Sequence, residues 1–164
     1  MGPWSNLSVH IPTERLDLSA PSVDVWHALL EGDVADALEG YPPDGDLVMA
    51  RLIVEGHLPA GEWGPWQIRE RASGLLIGGV GFKGAPDEAG MVEIGYGLAP
   101  AARGRGFATE GVGALVAHAF ARGASAVRAE VETGHAASER VVMRAGFTAG
   151  ESDSVVTWWR RDPR

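Results

Sequence analysis

A short segment rich in arginine and glycine lies where a strand-like apolar pattern gives way to a helical one. It consists of Arg103, Gly104, Arg105, Gly106, Phe107, Ala108 and Thr109. The first amides of a helix have no partner inside the helix, and its N-terminus carries about half a positive charge. The small residues of the segment would let these amides approach a phosphate group, and the two arginines would add positive charge. The spacing therefore predicts a phosphate-binding helix start, with a plain glycine-rich connector as the alternative.

An earlier glycine cluster does not predict a nucleotide site. Residues 79–84 fit the G-x-G-x-x-G spacing of the dinucleotide fingerprint, but that motif requires a helix after its last glycine. Residues 85–90 have the composition of a turn instead. The chain also contains no G-x-x-x-x-G-K-[ST] loop and no G-x-S-x-G elbow, which argues against P-loop and α/β-hydrolase chemistry.

The absence of cysteine from the 164 residues restricts the chemistry further. It excludes disulfides, a thiol nucleophile, iron–sulfur clusters and cysteine-ligated zinc. The chain has neither the H-E-x-x-H spacing of zinc proteases nor an EF-hand loop. We therefore expect no metal site.

Hydrophobic periodicity predicts the elements that must position the arginine–glycine segment. Strands are predicted at residues 13–19, 66–71, 75–83, 91–98 and 126–131, with two more between 147 and 160. Helices are predicted at residues 21–30, 47–57, 107–121 and 136–144. The length fits one domain, and no repeat or long linker divides it. We expect an α+β, or mixed α/β, fold around one sheet, with residues 1–164 as a single domain.

The charge of the chain is distributed unevenly. The net charge is −8, which disfavours a nucleic-acid partner because phosphate contacts need a basic face. Residues 63–164 have a net charge of +1, whereas residues 1–62 hold eleven acidic and two basic residues, a net charge of −9. This third of the chain is either a solvated acidic surface or a field that attracts a cationic partner. No signal peptide or membrane-spanning segment is evident, so we expect a cytoplasmic protein with no membrane partner.

The order of the motifs resembles a known superfamily. Arg103-x-x-Gly106-x-Ala108 is similar to the Arg/Gln-x-x-Gly-x-Gly/Ala signature of the GNAT superfamily of acyl-CoA-dependent N-acetyltransferases. Three further segments resemble its ribosomal-protein-alanine acetyltransferase branch. They are Pro12-Thr13-Glu14-Arg15-Leu16, Glu93-Ile94-Gly95-Tyr96 and the stretch from Ser138 and Val141 to Gly146-Phe147. The resemblance extends over about residues 9–160.

The resemblance implies both a fold and a cofactor site. The fold would be a central, mostly antiparallel, splayed sheet of seven strands flanked by about four helices. Acetyl-CoA would lie as co-substrate in a V-shaped cleft between the strands at 91–98 and 126–131. Its pantetheine would pair with the backbone of Tyr96, Gly97 and Leu98, and its pyrophosphate with amides of the arginine–glycine segment. His135 stands where the family usually has Asn, either as a structural histidine or as a cofactor contact.

Acetyl transfer to an amine needs a base, because an alkyl amine is mostly protonated at neutral pH. Glu93, on the strand before the arginine–glycine segment, is the first candidate, and Glu130 on the neighbouring strand is the second. Each could equally be a solvated or salt-bridged glutamate. The tyrosine that protonates the leaving thiolate in some family members is replaced by Val142. Ser138 matches a serine with that role in the ribosomal branch, but it could instead cap the helix.

The acceptor is predicted only as a class. The resemblance implies a primary amine, either a protein N-terminus or a small molecule, and the acidic first third of the chain predicts that it is cationic. Trp26, Trp63 and Trp66 could line its site or pack in the core. A non-catalytic acyl-CoA-binding or regulatory module is the alternative function. Both monomer and homodimer remain open.

Overall fold

The computed structural model describes residues 7–164. The strands in this part are β1 (Leu7–Pro12), β2 (Leu16–Pro21), β3 (Pro65–Glu70), β4 (Leu76–Phe82), β5 (Met91–Leu98), β6 (Ala126–Glu132), β7 (Thr148–Ser152) and β8 (Val156–Arg161). The helices are α1 (Val23–Leu30), α2 (Asp44–Val54), α3 (Phe107–Ala121) and α4 (Ala136–Arg144), with one 3-10 turn at Pro100–Ala102. None of the helices within residues 7–164 has the length and apolar character needed to cross a membrane.

The strands form one sheet in the order β1-β2-β3-β4-β5-β6-β8-β7. All neighbours are antiparallel except β5 and β6, which are parallel. The mixed α/β fold and its four helices are confirmed, but the expected number of seven strands is wrong, because the sheet has eight. The missed strand is β1, which pairs only with β2 at the edge of the sheet. Leu7, Val9 and Ile11 alternate with polar residues there, which is the ordinary signal of a half-buried strand.

The sheet opens between its two parallel strands. Pairing of β5 with β6 ends at Ile94 and Ala129. Beyond that point β5 continues to pair with β4 up to Leu98, and β6 continues to pair with β8 up to Glu132. The last residues of β5 and β6 therefore diverge, and this is the V-shaped splay that the family resemblance implied.

Helix α3 packs on the face of the sheet that carries Leu16, Ile68 and Val80. A Cβ on Gly111 of α3 would lie 3.5 Å from the Ile68 side chain and 3.6 Å from that of Val80. Because Gly111 has no side chain, the helix can approach the sheet closely. This packing explains why a glycine stands inside α3, although glycine destabilises an isolated helix.

Helices α1 and α2 pack against each other and supply a second, smaller group of buried residues. This group consists of Trp26, Leu29, Ala50 and Ile53. Gly97 of β5 faces this layer, because a Cβ built on it would lie 3.8 Å from the ring of Pro43, directly before α2. The N-terminal end of α2 therefore lies over the part of β5 where the sheet opens.

Candidate functional site

The arginine–glycine segment forms the turn that starts α3. Gly104 and Gly106 have φ angles of 76° and 81°, a left-handed conformation that glycine adopts without strain. Gly106 is the N-cap of α3. The amides of the first turn have no partner inside the helix, as at every helix start, so they are available to an anion.

A cavity of about 620 Å³ lies in front of this helix start, between α3 and α4. We call it the α4 cavity. Nearly all of the predicted cofactor-binding residues line it, namely Tyr96, Gly97, Leu98, Arg103, Gly104, Gly106, Phe107, Ala108, Thr109 and His135. The structure thus brings together residues from β5, the turn and both helices that are up to about 40 positions apart in the chain.

Arg105 is the exception among the predicted cofactor residues. It does not line the α4 cavity, because its guanidinium forms an ion pair with Glu70 at 2.8 Å. The same guanidinium lies 4.6 Å from the centre of the Phe107 ring. These contacts hold the turn against the end of β3. A direct contact of Arg105 with a cofactor stays a prediction that this arrangement does not favour.

Two arginines that the sequence analysis did not select line the α4 cavity instead. Arg140 and Arg144 are four residues apart on α4, so they lie on the same face of the helix. Neither forms an ion pair with any residue in the range 7–164. Their i, i+4 spacing was visible in the sequence, but the side of α4 that faces the cleft is decided by packing.

His135 is the N-cap of α4. Its Nδ1 accepts a hydrogen bond of 3.1 Å from the amide of Ser138, so the ring replaces the capping oxygen of the usual Asn. Since Nδ1 is the acceptor, the ring proton of the neutral histidine lies on Nε2. His135 also lines both cavities of the site. The ring therefore caps the helix, as the structural alternative expects, and a cofactor contact through Nε2 stays a prediction.

A second cavity, of about 500 Å³, lies between α2 and the opened ends of β5 and β6. We call it the α2 cavity. It shares six lining residues with the α4 cavity: Tyr96, Gly97, Leu98, Arg103, His135 and Ser138. The two cavities therefore meet where the sheet opens.

The α2 cavity combines acidic and aromatic side chains. Its acidic lining residues are Asp44, Asp46, Glu130 and Glu132, and its aromatic ones include Trp26, Trp66 and Phe82. Of the three tryptophans considered in the sequence, Trp63 does not line this cavity and packs against Phe82, with ring centres 5.0 Å apart. The acidic third of the chain thus supplies two of the four carboxylates.

Glu93, the first candidate base, does not line either cavity. One of its carboxylate oxygens lies 2.8 Å from Lys83 Nζ, and the other lies 3.3 Å from an Arg128 guanidinium nitrogen. Its side chain is 17% exposed. This arrangement matches the salt-bridged alternative for Glu93. Its role as a base stays a prediction, and the second candidate, Glu130, is the one that lines the α2 cavity.

Ser138 and Tyr96 connect β5 to α4 at the point where the cavities meet. The Tyr96 hydroxyl donates a hydrogen bond of 2.9 Å to the backbone carbonyl of Ser138. Burial raises the pKa of Tyr96 to about 12, so this phenol keeps its proton at neutral pH. The candidate acid Ser138 lines both cavities, and its amide is held by His135. Val142, by contrast, is fully buried.

Asp46, in the first turn of α2, is a residue that the sequence analysis did not select. It lines the α2 cavity, yet only 8% of it is exposed. Burial raises its pKa from 3.8 to about 7. The sequence offers eleven acids in residues 1–62 and no local signal that distinguishes the buried one. No group of three or more His, Asp or Glu residues suited to a metal occurs within residues 7–164.

Comparison with known proteins agrees with this geometry. Residues 18–148 match the model of the acetyltransferase (GNAT) domain. Because that match covers most of the sequence, the chain belongs to the GNAT family of acetyltransferases, which are acyl-transferring enzymes.

The chain also resembles two curated N-acetyltransferases of uncharacterized function. The chain is 30% identical over 95 residues to the uncharacterized N-acetyltransferase YjdG of Bacillus subtilis (strain 168), covering 57% of this chain and 56% of that protein. The chain thus spans about half the length of the curated relatives that it matches.

Two solved structures show the likeness in fold. The acetyl transferase of Salmonella typhimurium that modifies the N-terminal serine of ribosomal protein L7/L12 aligns with a TM-score of 0.64 and 19% identity, over 95% of this chain and 100% of that one. RimL, a ribosomal L7/L12 alpha-N-protein acetyltransferase solved with coenzyme A, aligns with a TM-score of 0.66 and 19% identity, over 94% and 98%. Identities this low show the fold alone.

Proposed function

We propose that this protein is an acetyl-CoA-dependent N-acetyltransferase that acts on a cationic primary amine. The observation that carries the proposal is the meeting of two cavities of opposite character at Tyr96, Gly97 and Leu98. The α4 cavity has a helix N-terminus and arginines, which suit the phosphates of a coenzyme. The α2 cavity has four acidic side chains against two basic ones, Lys83 and Arg103, and its aromatic rings and excess of acids suit an ammonium group.

The residues of the α4 cavity fit acetyl-CoA as co-substrate. The amides at the start of α3, together with Arg103, Arg140 and Arg144, would hold the phosphates. The main chain of Tyr96 and the amide of Leu98 face the opening and are left unpaired by β6 beyond Ile94, so they are free to bind the pantetheine arm. The main chain of Gly97 is directed to its partner Gly79 in β4 instead. Acetyl-CoA supplies the thioester whose acetyl group is transferred.

The chain supplies a hydrogen-bond donor for the thioester oxygen and a proton donor for the leaving sulfur. An amide near Gly97 or Leu98 would hydrogen-bond the thioester oxygen as negative charge develops on it. Ser138, where the two cavities meet, would give a proton to the departing sulfur. The carboxylates of the α2 cavity would attract the amine and accept its proton, and Glu130 is the candidate there that the sequence already indicated.

The class of acceptor is a primary amine, with a protein N-terminus and a small molecule both compatible with the α2 cavity. The Salmonella relative in fold modifies the N-terminal serine of a ribosomal protein. That likeness supports testing a peptide first. A small polyamine is the competing acceptor because the cavity is acidic.

Release of the coenzyme thiol tests the proposed function. The protein is incubated with acetyl-CoA and, separately, with a serine-initiated peptide, an alanine-initiated peptide and spermidine. We expect amine-dependent thiol release and an acetylated product by mass spectrometry with at least one acceptor. Binding of acetyl-CoA without thiol release from any amine would instead establish the non-catalytic module. The absence of acetyl-CoA binding would remove both functions.

A further inference from the structure

Asp46 is a buried carboxyl group for which the described chain provides no partner. Its Oδ2 is fully buried and forms no hydrogen bond with any residue in the range 7–164. Both carboxylate oxygens lie 2.7 Å from the position that a Cβ on Gly79 would occupy. The side chain therefore fills the space directly over a glycine of β4. A buried carboxylate without a hydrogen-bonding partner is costly, which points to a ligand as the missing partner.

The position of Asp46 relative to the opened sheet is set by strand register. Gly79 of β4 is paired with Gly97 of β5 across the antiparallel ladder. Cα atoms paired in this way lie about 4.5–5.5 Å apart. The N-terminal end of α2 covers both glycines. A Cβ built on Gly79 would meet the Asp46 carboxyl group, and one built on Gly97 would meet the Pro43 ring. The carboxyl group of Asp46 thus lies one strand away from the residue beside which the thioester would be held.

We propose that Asp46 is the catalytic residue that binds the acceptor's ammonium group and removes its proton. This proposal rests on the proposed acetyl transfer and adds the group that prepares the nucleophile. The carboxylate takes one proton from the ammonium nitrogen, which leaves a neutral amine and a carboxylic acid. The amine nitrogen then bonds to the thioester carbonyl carbon and the carbon–sulfur bond breaks. The Ser138 hydroxyl gives its proton to the sulfur and takes the second proton from nitrogen, and Asp46 returns its own proton to water.

The surroundings of Asp46 suit this proton transfer. A base is most effective when its pKa lies near the working pH, and burial brings the pKa of Asp46 to about 7. The other charged and titratable groups that line the same cavity are Asp44 on α2, Lys83 after β4, Tyr96 on β5, Arg103 before α3, Glu130 and Glu132 on β6, and His135 at α4. Away from the cavity, Asp46 lies near Tyr41. Burial is the main cause that raises the pKa of Tyr41, the charge of Asp46 raises it further, and Arg69 of β3 lowers it.

The test compares Asp46→Asn with Glu55→Gln, which removes one negative charge from the other end of the same helix. Glu55 is exposed and lines neither cavity. We expect kcat/KM for the amine to fall about 100-fold or more in Asp46→Asn and to change less than about threefold in Glu55→Gln. Acetyl-CoA affinity should stay within about twofold in both. The rise of kcat/KM through neutral pH should be lost only in Asp46→Asn.

A second variant and a measurement without turnover complete the test. Gly79→Ala should displace the carboxylate, and we expect it to lower kcat/KM while acetyl-CoA binding is retained. Carbon NMR of the labelled protein should show the Asp46 carboxyl titrating near neutral pH and shifting when butylammonium is added with coenzyme A. An Asp46→Asn enzyme with wild-type activity would overturn the proposal. So would an Asp46 carboxyl that titrates near pH 4 and whose NMR signal does not shift when butylammonium is added. The NMR measurement needs no turnover, so it can overturn the proposal for Asp46 even if no acceptor is found for the wild type. A failure to find any acceptor would instead count against the proposed function.

Discussion

Asp46 and Glu93 are both carboxylates near the opened sheet, but their surroundings differ. Glu93 is held by Lys83 and Arg128, so its negative charge is already compensated. Asp46 is more deeply buried, and none of residues 7–164 places such a cation at its oxygens. A buried carboxylate without a compensating cation takes up a proton more readily than one in water. Burial and partners, rather than proximity to the arginine–glycine segment, therefore distinguish the two residues.

The first prediction at this scale concerns stability and pH. In the unfolded chain Asp46 loses its proton near its ordinary pKa of 3.8, whereas in the folded protein it does so near 7. Its contribution to stability is thus fully present below about pH 4 and is lost as pH rises to 7. We expect Asp46→Asn to be more stable than wild type at pH 8 by about 2–4 kcal/mol. That corresponds to a midpoint about 5–10 °C higher in a thermal melt.

The comparison at low pH is the control for this prediction. Near pH 4 the folded Asp46 is protonated and resembles asparagine, so the two melting temperatures should converge. A difference in melting temperature that is equal at pH 4 and pH 8 would contradict the raised pKa.

The second prediction at this scale separates Glu93 from the residues of the α2 cavity. Because Glu93 faces Lys83 and Arg128, we expect Glu93→Gln to cost about 0.5–1 kcal/mol of unfolding free energy. Its kcat/KM should stay within about threefold of wild type, as measured by initial rates of thiol release. Glu130→Gln, made for comparison, should raise the KM for a cationic amine. A large loss of kcat in Glu93→Gln alone would restore Glu93 as the base.

At the residue scale, the sequence could indicate only those positions whose signal is local. The small residues and glycines at 104, 106 and 108 were recognisable because a helix start needs them within one turn. Asp46 was not, because its burial depends on Gly79, which is 33 positions away and is brought to it only by the packing of α2 on β4. Arg140 and Arg144 were missed for the same reason, since their direction depends on how α4 packs.

At the scale of elements, α4 serves both cavities. Its N-cap is His135, its first turn presents Ser138 where the cavities meet, and its later turns place Arg140 and Arg144 beside the start of α3. The missing Asn at the head of this helix does not weaken the element, because the imidazole makes the capping hydrogen bond. The strand β1 was missed although its alternation was present, because the first predicted strand began at residue 13.

The prediction at this scale concerns the two arginines of α4. We expect the double variant Arg140→Ala/Arg144→Ala to bind acetyl-CoA about tenfold or more weakly, because two cations facing the phosphates are removed. The loss should shrink at high salt, which screens exposed charges. Isothermal titration at low and high ionic strength measures both effects.

Arg160→Ala is the matched control, because Arg160 is an exposed arginine that pairs with Asp162 and lines neither cavity. It should leave acetyl-CoA binding unchanged. Equal affinities in the double variant and the control would show that the α4 arginines do not contact the coenzyme.

At the scale of the whole molecule, the sheet places two chemically different surfaces around one opening. Helix α2 and strand β6 bring carboxylates to one cavity, and α3 and α4 bring amides and arginines to the other. The opening itself follows from the end of β5–β6 pairing at Ile94 and Ala129. The acidic first third of the chain and the arginine–glycine segment were both visible in the sequence, but only the fold shows that they share a boundary at residues 96–98.

Binding of a two-part ligand tests most directly whether the two cavities form one reaction site. The ligand is coenzyme A whose sulfur is joined through a two-carbon acyl bridge to the nitrogen of a diamine, so that a free ammonium extends beyond the bridge. If the cavities meet as described, both parts bind at once, and the conjugate should bind at least about tenfold more tightly than acetyl-CoA. Asp46→Asn should reduce that gain. A conjugate that binds the wild-type protein no more tightly than acetyl-CoA would contradict the account.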